Sequence, residues 1–191
     1  MGRLIYSALC SVDGWVADAG GGFEWAAPDE EVHAAINDLL RRAGTHLYGR
    51  RMYDVLVPWE TMGISPEESA VIRDFAAIWR AADKVVYSTT LETAPTERTV
   101  IEKRFDARAV QEMKDASSRD LTIGGPTLAA QAFEHGLVDE CHLFLSPVAV
   151  GGGLPALPRS TELRFELVDL RRFANGVVHL HYRPRHRLVS T

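Results

Sequence analysis

Leu121-Thr122-Ile123-Gly124-Gly125-Pro126-Thr127-Leu128 decides the fold. An apolar run of strand length ends in two glycines, and Pro126 then stands where a helix can begin; Leu128, Ala132 and Phe133 give that helix a core-facing stripe, and Gly136 terminates it. Strand, tight turn and helix in succession form the repeating unit of a parallel sheet.

The same alternation runs outward in both directions. Upstream, residues 84–87 form a strand ending in Ser88-Thr89-Thr90, and residues 45–48 form another that Gly49 breaks before the helix-like turn Arg50-Arg51-Met52-Tyr53. The first strand holds Leu4, Ile5, Tyr6, Ala8, Leu9 and Val12. It feeds a long loop over 13–27 that mixes four glycines with Trp15, Phe23 and Trp25, a composition typical of functional or disordered loops. Pro28 suits a first helical position ahead of the apolar face Val32, Ile36, Leu39, Leu40. Ser65-Pro66-Glu67-Glu68 has a capping-box pattern before Val71, Ile72, Phe75, Ile78 and Trp79. Asp106 can cap a helix carrying Val110 and Met113, and residues 99–101 form a weaker strand.

Downstream, a strand beginning near Val138 contains Cys141, Leu143, Phe144 and Leu145 and stops at Pro147 and Gly151-Gly152-Gly153. Leu163, Phe165 and Leu167 then alternate, as do Val178, Leu180 and Tyr182 beyond Asn175-Gly176, the signature of a hairpin. The fold class is therefore α/β: a mixed, mostly parallel sheet with helices on both faces and a C-terminal antiparallel hairpin. Residues 1–191 make a single domain, since 46% hydrophobic residues over 191 suffice for one sizeable core. Arg183, Arg185, His186 and Arg187 read as a solvated basic terminus.

Composition narrows the function classes. Lys plus Arg number 21 against 26 Asp plus Glu, a net charge of -5, so no global basic field recruits nucleic acid or anionic lipid. Cys10 and Cys141 stand far apart in apolar strands, which fits buried thiols in a reducing, cytoplasmic setting. No signal peptide or 18-residue apolar span is present, so no membrane partner is expected. Neither G-x-G-x-x-G after a strand, a P-loop, H-E-x-x-H nor G-x-S-x-G occurs, which removes the Rossmann, P-loop, zincin and α/β-hydrolase readings. His179 and His181 share one strand face without an identifiable third ligand, so they read as edge-strand residues, and no metal is expected.

In a parallel sheet, ligands bind beyond the carboxyl ends of the strands. Three such ends carry groups suited to phosphates. Gly49-Arg50-Arg51 offers guanidinium donors, Ser88-Thr89 offers hydroxyls, and Gly124-Gly125-Pro126-Thr127 lets backbone approach a ligand closely where a helix begins. Together at successive strand ends they suit a dinucleotide.

These segments carry a resemblance. Ser11-Val12-Asp13-Gly14-Trp15-Val16-Ala17 resembles the S-[LV]-D-G-x-[IV]-A signature of the C-terminal reductase domain of the riboflavin-biosynthesis deaminase/reductase. Tyr48-Gly49-Arg50-Arg51-Met52-Tyr53, Val85-Val86-Tyr87-Ser88 and Ile123-Gly124-Gly125-Pro126-Thr127-Leu128 are similar, in the same order, to the cofactor-binding segments of the dihydrofolate reductase superfamily. The resemblance implies a three-layer reductase fold that uses NADPH. Arg50, Arg51, Ser88 and Thr89 would lie around the 2′-phosphate and adenosine end, and Gly124 and Gly125 would face the pyrophosphate across a bond that is cis in dihydrofolate reductases. It further implies a homodimer, and a mobile cover over the nicotinamide from the 13–23 loop.

A reductase needs a group that stabilises or protonates the atom gaining charge, and a desolvated carboxyl with a raised pKa is suited to that. Trp25-Ala26-Ala27-Pro28-Asp29-Glu30 resembles the W-x-x-P-x-acid stretch of dihydrofolate reductases and puts Glu30 forward, although a carboxylate in a helix's first turn is also stabilised there without function. Asp13 competes for the role from the riboflavin-type signature. The folate-holding Arg is unmatched, since Ala82-Asp83-Lys84 occupies that neighbourhood and Arg80 is displaced, and Ala129 stands where the family has an aromatic. The expected substrate is thus a small heterocycle, foremost the ribosylaminopyrimidine of riboflavin synthesis. A pterin or folate reductase and a nucleotide-binding regulatory protein without turnover are the alternatives. At 191 residues no fused deaminase is expected, so a riboflavin role would need a separate partner enzyme.

Overall fold

A computed structural model describes residues 1–185. Its centre is an eight-stranded sheet ordered β5-β4-β3-β6-β1-β7-β10-β9. The strands are β1 (Leu4–Ser11), β3 (Ala43–Gly49), β4 (Asp83–Tyr87), β5 (Thr99–Glu102), β6 (Asp120–Gly124), β7 (Glu140–Ser146), β9 (Arg164–Arg172) and β10 (Val178–Arg185). From β5 to β7 every pairing is parallel, and β10 runs antiparallel to both β7 and β9. The expected hairpin therefore closes the sheet, with Gly176 at φ +88° in its turn. Two short strands, β2 (Trp15–Ala17) and β8 (Leu154–Pro155), pair separately. The 13–27 segment is thus more ordered than a plain loop, and a 3-10 turn at Glu24–Ala26 completes it.

The helices are α1 (Glu30–Leu40), α2 (Arg50–Leu56), α3 (Ala70–Ala81), α4 (Ala107–Ala116) and α5 (Pro126–Glu134). Period-two alternation on the inner strands sorts their side chains to two cores. Leu4, Tyr6, Leu47, Leu121 and Ile123 pack with Val110 of α4 and Leu128, Ala132 and Phe133 of α5. Ile5 and Phe144 meet Val32 and Leu39 of α1 on the other face, where Tyr48 and Val86 meet Tyr53 of α2 and Phe75 and Trp79 of α3. Helices on both faces of the sheet make three layers. Cys10 and Cys141 are buried thiols in the first core, and burial pushes Cys10 up to about 12.

Two helix starts differ from the sequence reading. Pro28 lies outside α1, because Asp29 is the N-cap, its carboxylate accepting from the Val32 N–H at 2.9 Å. Ser65-Pro66-Glu67-Glu68 stays a turn, with the Glu67 N–H donating to Ser65 Oγ at 3.3 Å, and α3 begins only after Ser69. The Arg73 guanidinium holds this turn by donating to the Pro66 and Glu68 carbonyls, which fixes the segment short of helical continuation. Arg183 and Arg185 are exposed residues of β10 rather than a loose tail; His186 and Arg187 lie outside the described residues.

Candidate functional site

The three phosphate-suited turns end three neighbouring strands, β4, β3 and β6, and the registers Gly49↔Tyr87 and Tyr48↔Gly124 bring their ends level. The next strand, β1, delivers Asp13 to the same edge, and the one after it, β7, leads into the glycines at 151–153. The structure thus gathers every proposed cofactor turn and Asp13 into one row along the carboxyl edge of the parallel strands.

Within that row the groups differ in availability. Gly49 caps α2 in extended conformation, and Arg50 is drawn onto Asp54 one turn on, with Nε 2.8 Å from both carboxylate oxygens. The Arg51 side chain is exposed and makes no ion pair or hydrogen bond among the described residues. Ser88 is buried and its Oγ accepts from the Thr90 and Leu91 N–H groups at 3.2 and 3.0 Å, which shapes the turn, whereas Thr89 is exposed.

The glycine pair has two separate reasons to be glycine. A Cβ on Gly124 would stand 2.8 Å from two carbons of the Tyr48 ring, and Gly125 adopts φ +89° as the N-cap of α5. The described residues contain no cis peptide bond, so the Gly124–Gly125 bond is trans, contrary to the expectation from dihydrofolate reductases; the positive φ of Gly125 makes the reversal instead. Pro126 occupies the first turn of α5 and lacks an N–H to leave unpaired, and Thr127 after it is exposed. Both line a cleft of about 180 Å³ with Ala130, Leu154, Pro155, Leu157, Pro158, Arg159 and Ser160. The sequence reading missed Arg159. Its guanidinium lies 4.0 Å from the Trp15 ring centroid, a cation–π contact between distant loops that no local pattern announces.

Neither candidate acid sits in a desolvated pocket. Glu30 is exposed at the first position of α1 and its carboxylate makes no hydrogen bond among the described residues. Asp13 is fully exposed and accepts from the Val150 and Gly151 N–H groups at 3.2 and 2.8 Å. The Ser11 hydroxyl, followed by those two N–H groups, holds its carboxyl below the usual range, so Asp13 is a carboxylate at neutral pH. Its visible role is to fasten the turn after β1 to the glycine loop after β7.

Two folate-type features are occupied structurally. Arg80 Nη1 donates to the Trp59 and Met62 carbonyls at 3.1 and 2.8 Å, and Lys84 is buried, donating to the Ala82 and Glu97 carbonyls. Ala129 is a buried, core-facing residue of α5.

A second polar cluster lies at the opposite end of the strands. His142 of β7 pairs with His181 of β10, and Glu140 joins them, so the sequence reading of His179 and His181 as edge residues without a third ligand is corrected. Strand β10 is interior, between β7 and the edge strand β9. Burial raises the Glu140 carboxyl, but hydrogen bonds from His142 and Arg42 and the Arg42 and Arg3 charges outweigh it and bring it down to about 2.

The RibD C-terminal domain model matches residues 3–179. The chain belongs to that family. It is a reductase family of the dihydrofolate reductase-like superfamily, in agreement with the sheet and the carboxyl-edge row. An uncharacterized protein, YyaP, of Bacillus subtilis (strain 168) is 25% identical over 182 residues, covering 94% of each chain. A putative riboflavin biosynthesis protein from Shewanella sp. PV-4 superposes with TM-score 0.74 at 18% identity, covering 97% of this chain and 100% of its own. A pyrimidine reductase-like protein from Corynebacterium diphtheriae gives 0.70 at 14% identity, over 97% and 92%. A diaminohydroxyphosphoribosylaminopyrimidine deaminase/5-amino-6-(5-phosphoribosylamino)uracil reductase from Thermotoga maritima gives 0.65 at 16%; this RibD C-terminal chain spans 57% of that one. No helix among the described residues is long and apolar enough to cross a membrane.

Proposed function

We propose that the chain is a cytoplasmic, homodimeric, NADPH-dependent reductase acting on a small heterocycle, with the 5-amino-6-(5-phosphoribosylamino)uracil type as the leading substrate. The observation that carries this reading is the row of three phosphate-suited turns on β4, β3 and β6 in a chain of the RibD C-terminal family. The residues fit NADPH in chemistry as well as in place. Arg51 has an uncommitted guanidinium for a 2′-phosphate, Thr89 an exposed hydroxyl, and Gly124 and Gly125 expose backbone at the start of α5. When bound, NADPH would supply the hydride. The chain's own part is to bind and orient: the Arg50–Asp54 pair steadies the first turn of α2, and Asp13 holds the 151–153 loop beside the site. Water or Glu30 would deliver the proton, because the Asp13 carboxylate is engaged by the Val150 and Gly151 N–H groups.

Nicotinamide fluorescence titrations test the cofactor, and NADPH is expected to bind more tightly than NADH by about tenfold or more, with Arg51→Ala erasing most of the difference. Equal binding of both cofactors would overturn the Arg51 assignment. Oxidation of NADPH with the ribosylaminopyrimidine and none with dihydrofolate selects the leading substrate. The commitment of Arg80 to the Trp59 and Met62 carbonyls supports that order over a folate reductase. A nucleotide-binding protein without turnover is the second reading, favoured by the exposure of both candidate acids; binding without oxidation of either substrate would establish it.

A further inference from the structure

We propose that Glu140, His142 and His181 form a binding site for a late first-row divalent metal ion, with zinc as the probe. The site lies at the amino end of β7, away from the carboxyl-edge row, and is independent of the cofactor reading.

Three ligand atoms converge there, Glu140 Oε2, His142 Nε2 and His181 Nε2. The carboxylate oxygen lies 3.3 Å from the first nitrogen and 3.7 Å from the second, and all three ligand atoms fall within 4.8 Å of one another. Zinc bonds of about 2.1 Å in tetrahedral array place ligand atoms about 3.4 Å apart, so the spacing already suits an ion and the ring orientations are what must change. Two imidazoles and one carboxylate are a donor set for borderline ions such as zinc, and one position is left for water.

The surroundings are prepared for this. Imidazole binds metal through an unprotonated nitrogen, and which nitrogen is free depends on the hydrogen bond made by the other. His142 Nδ1 shares a hydrogen bond of 2.9 Å with His179 Nε2; when Nδ1 donates, Nε2 is the ligand atom, facing Glu140. His181 Nε2 is buried and has no hydrogen-bond partner, a costly state that an ion would relieve. Arg42 Nη1 donates to Glu140 Oε2 at 3.1 Å and His142 Nε2 lies 3.3 Å from the same oxygen; with His142 in the tautomer protonated at Nδ1, Nε2 and that oxygen's second lone pair both face the metal. Arg3 takes the other carboxylate oxygen, and Arg3, Arg42, Asp120 and Glu140 together carry no net charge, so no excess of positive charge opposes a cation. Side-chain exposures of 5% for Glu140 and 4% for His142 enclose the ion, while His181 at 19% gives it an entry.

The His142 and His181 rings stack with centroids 4.1 Å apart at 16°. Parallel rings cannot both point their in-plane lone pairs at one atom, so binding turns them toward each other about χ2 and breaks the stack. The ion then clips β10 to β7.

Calorimetric titration of untagged, chelator-treated full-length chain with zinc chloride is expected to show one ion per chain, with a rise in melting temperature. His181→Gln and His142→Gln should each weaken zinc by about tenfold or more, and His179→Gln by a smaller factor, with NADPH affinity unchanged. Cobalt(II) bound to unmutated protein should show the visible absorption of a four-coordinate ion, a readout independent of variant folding. No zinc binding, unchanged binding in His181→Gln, or loss of binding in His186→Gln instead, would each overturn the site.

Discussion

Asp13 Oδ2 lies 2.8 Å from the Gly151 amide nitrogen, so a carboxylate just after β1 fastens a glycine loop just after β7. Adjacent parallel strands β1 and β7 are thereby tied at their carboxyl ends, where the candidate site opens. Removing the acceptor by Asp13→Ala should speed hydrogen exchange at the Gly151 N–H and lower reductase turnover, with little change in global stability because Asp13 is exposed. Exchange at Gly151 unchanged between the two proteins would show that the tether is without effect.

The same site contains a packing constraint. Adding a methyl at Gly124 drives a Cβ to 2.8 Å from the Tyr48 ring, which is buried between the strand and α2 and has little room to give. Gly124→Ala is expected to cost about 1–3 kcal/mol by urea unfolding. Gly125→Ala is expected to cost about 1 kcal/mol or more through its φ of +89° alone. A Gly124→Ala protein as stable as the parent would mean that Tyr48 swings freely.

The sheet was legible because its signals are local. Asn175-Gly176 between alternating runs, and Gly124-Gly125-Pro126 between strand and helix, specify turns within a few residues. Helix starts were less so: Ser65-Pro66 has the right residues, but Arg73 reaches back from the helix to hold the preceding turn, a contact the pattern does not encode. The cluster on β7 and β10 was invisible for a stronger reason. Glu140-x-His142 and His179-x-His181 each show the period of a strand face, yet only the register His181↔His142 brings them together. The exposure of the candidate acids was not legible, because a motif carries no burial; Glu30 matches the family spacing and faces solvent.

Among the described residues strand β9 is an edge of the sheet, with Leu167, Val168 and Leu170 exposed. Such an edge invites pairing with another chain. The proposed homodimer is expected to bury it, so Leu170→Lys should shift sedimentation toward the 21.1 kDa species while leaving the fold intact by circular dichroism. A parent protein that sediments only as that species would refute the dimer.

The last expectation concerns pH. His46 is buried against Thr122, with Nδ1 2.5 Å from its hydroxyl oxygen, and burial followed by the Lys84 and Arg119 charges pushes its pKa down to about 3. In the unfolded chain the ring titrates near its ordinary value of 6.5. Between these values the unfolded state binds the extra proton, so stability from the neutral ring is present above 6.5 and is lost as pH falls toward 3. One proton corresponds to about 1.4 kcal/mol per pH unit at most. His33, His179 and His181 are also shifted down, so the His46 share is read as a difference. His46→Gln should reduce the slope of unfolding free energy against pH by close to one proton between pH 6 and 4.5, measured by denaturant titration. An unchanged slope would mean that His46 takes up its proton within the folded protein.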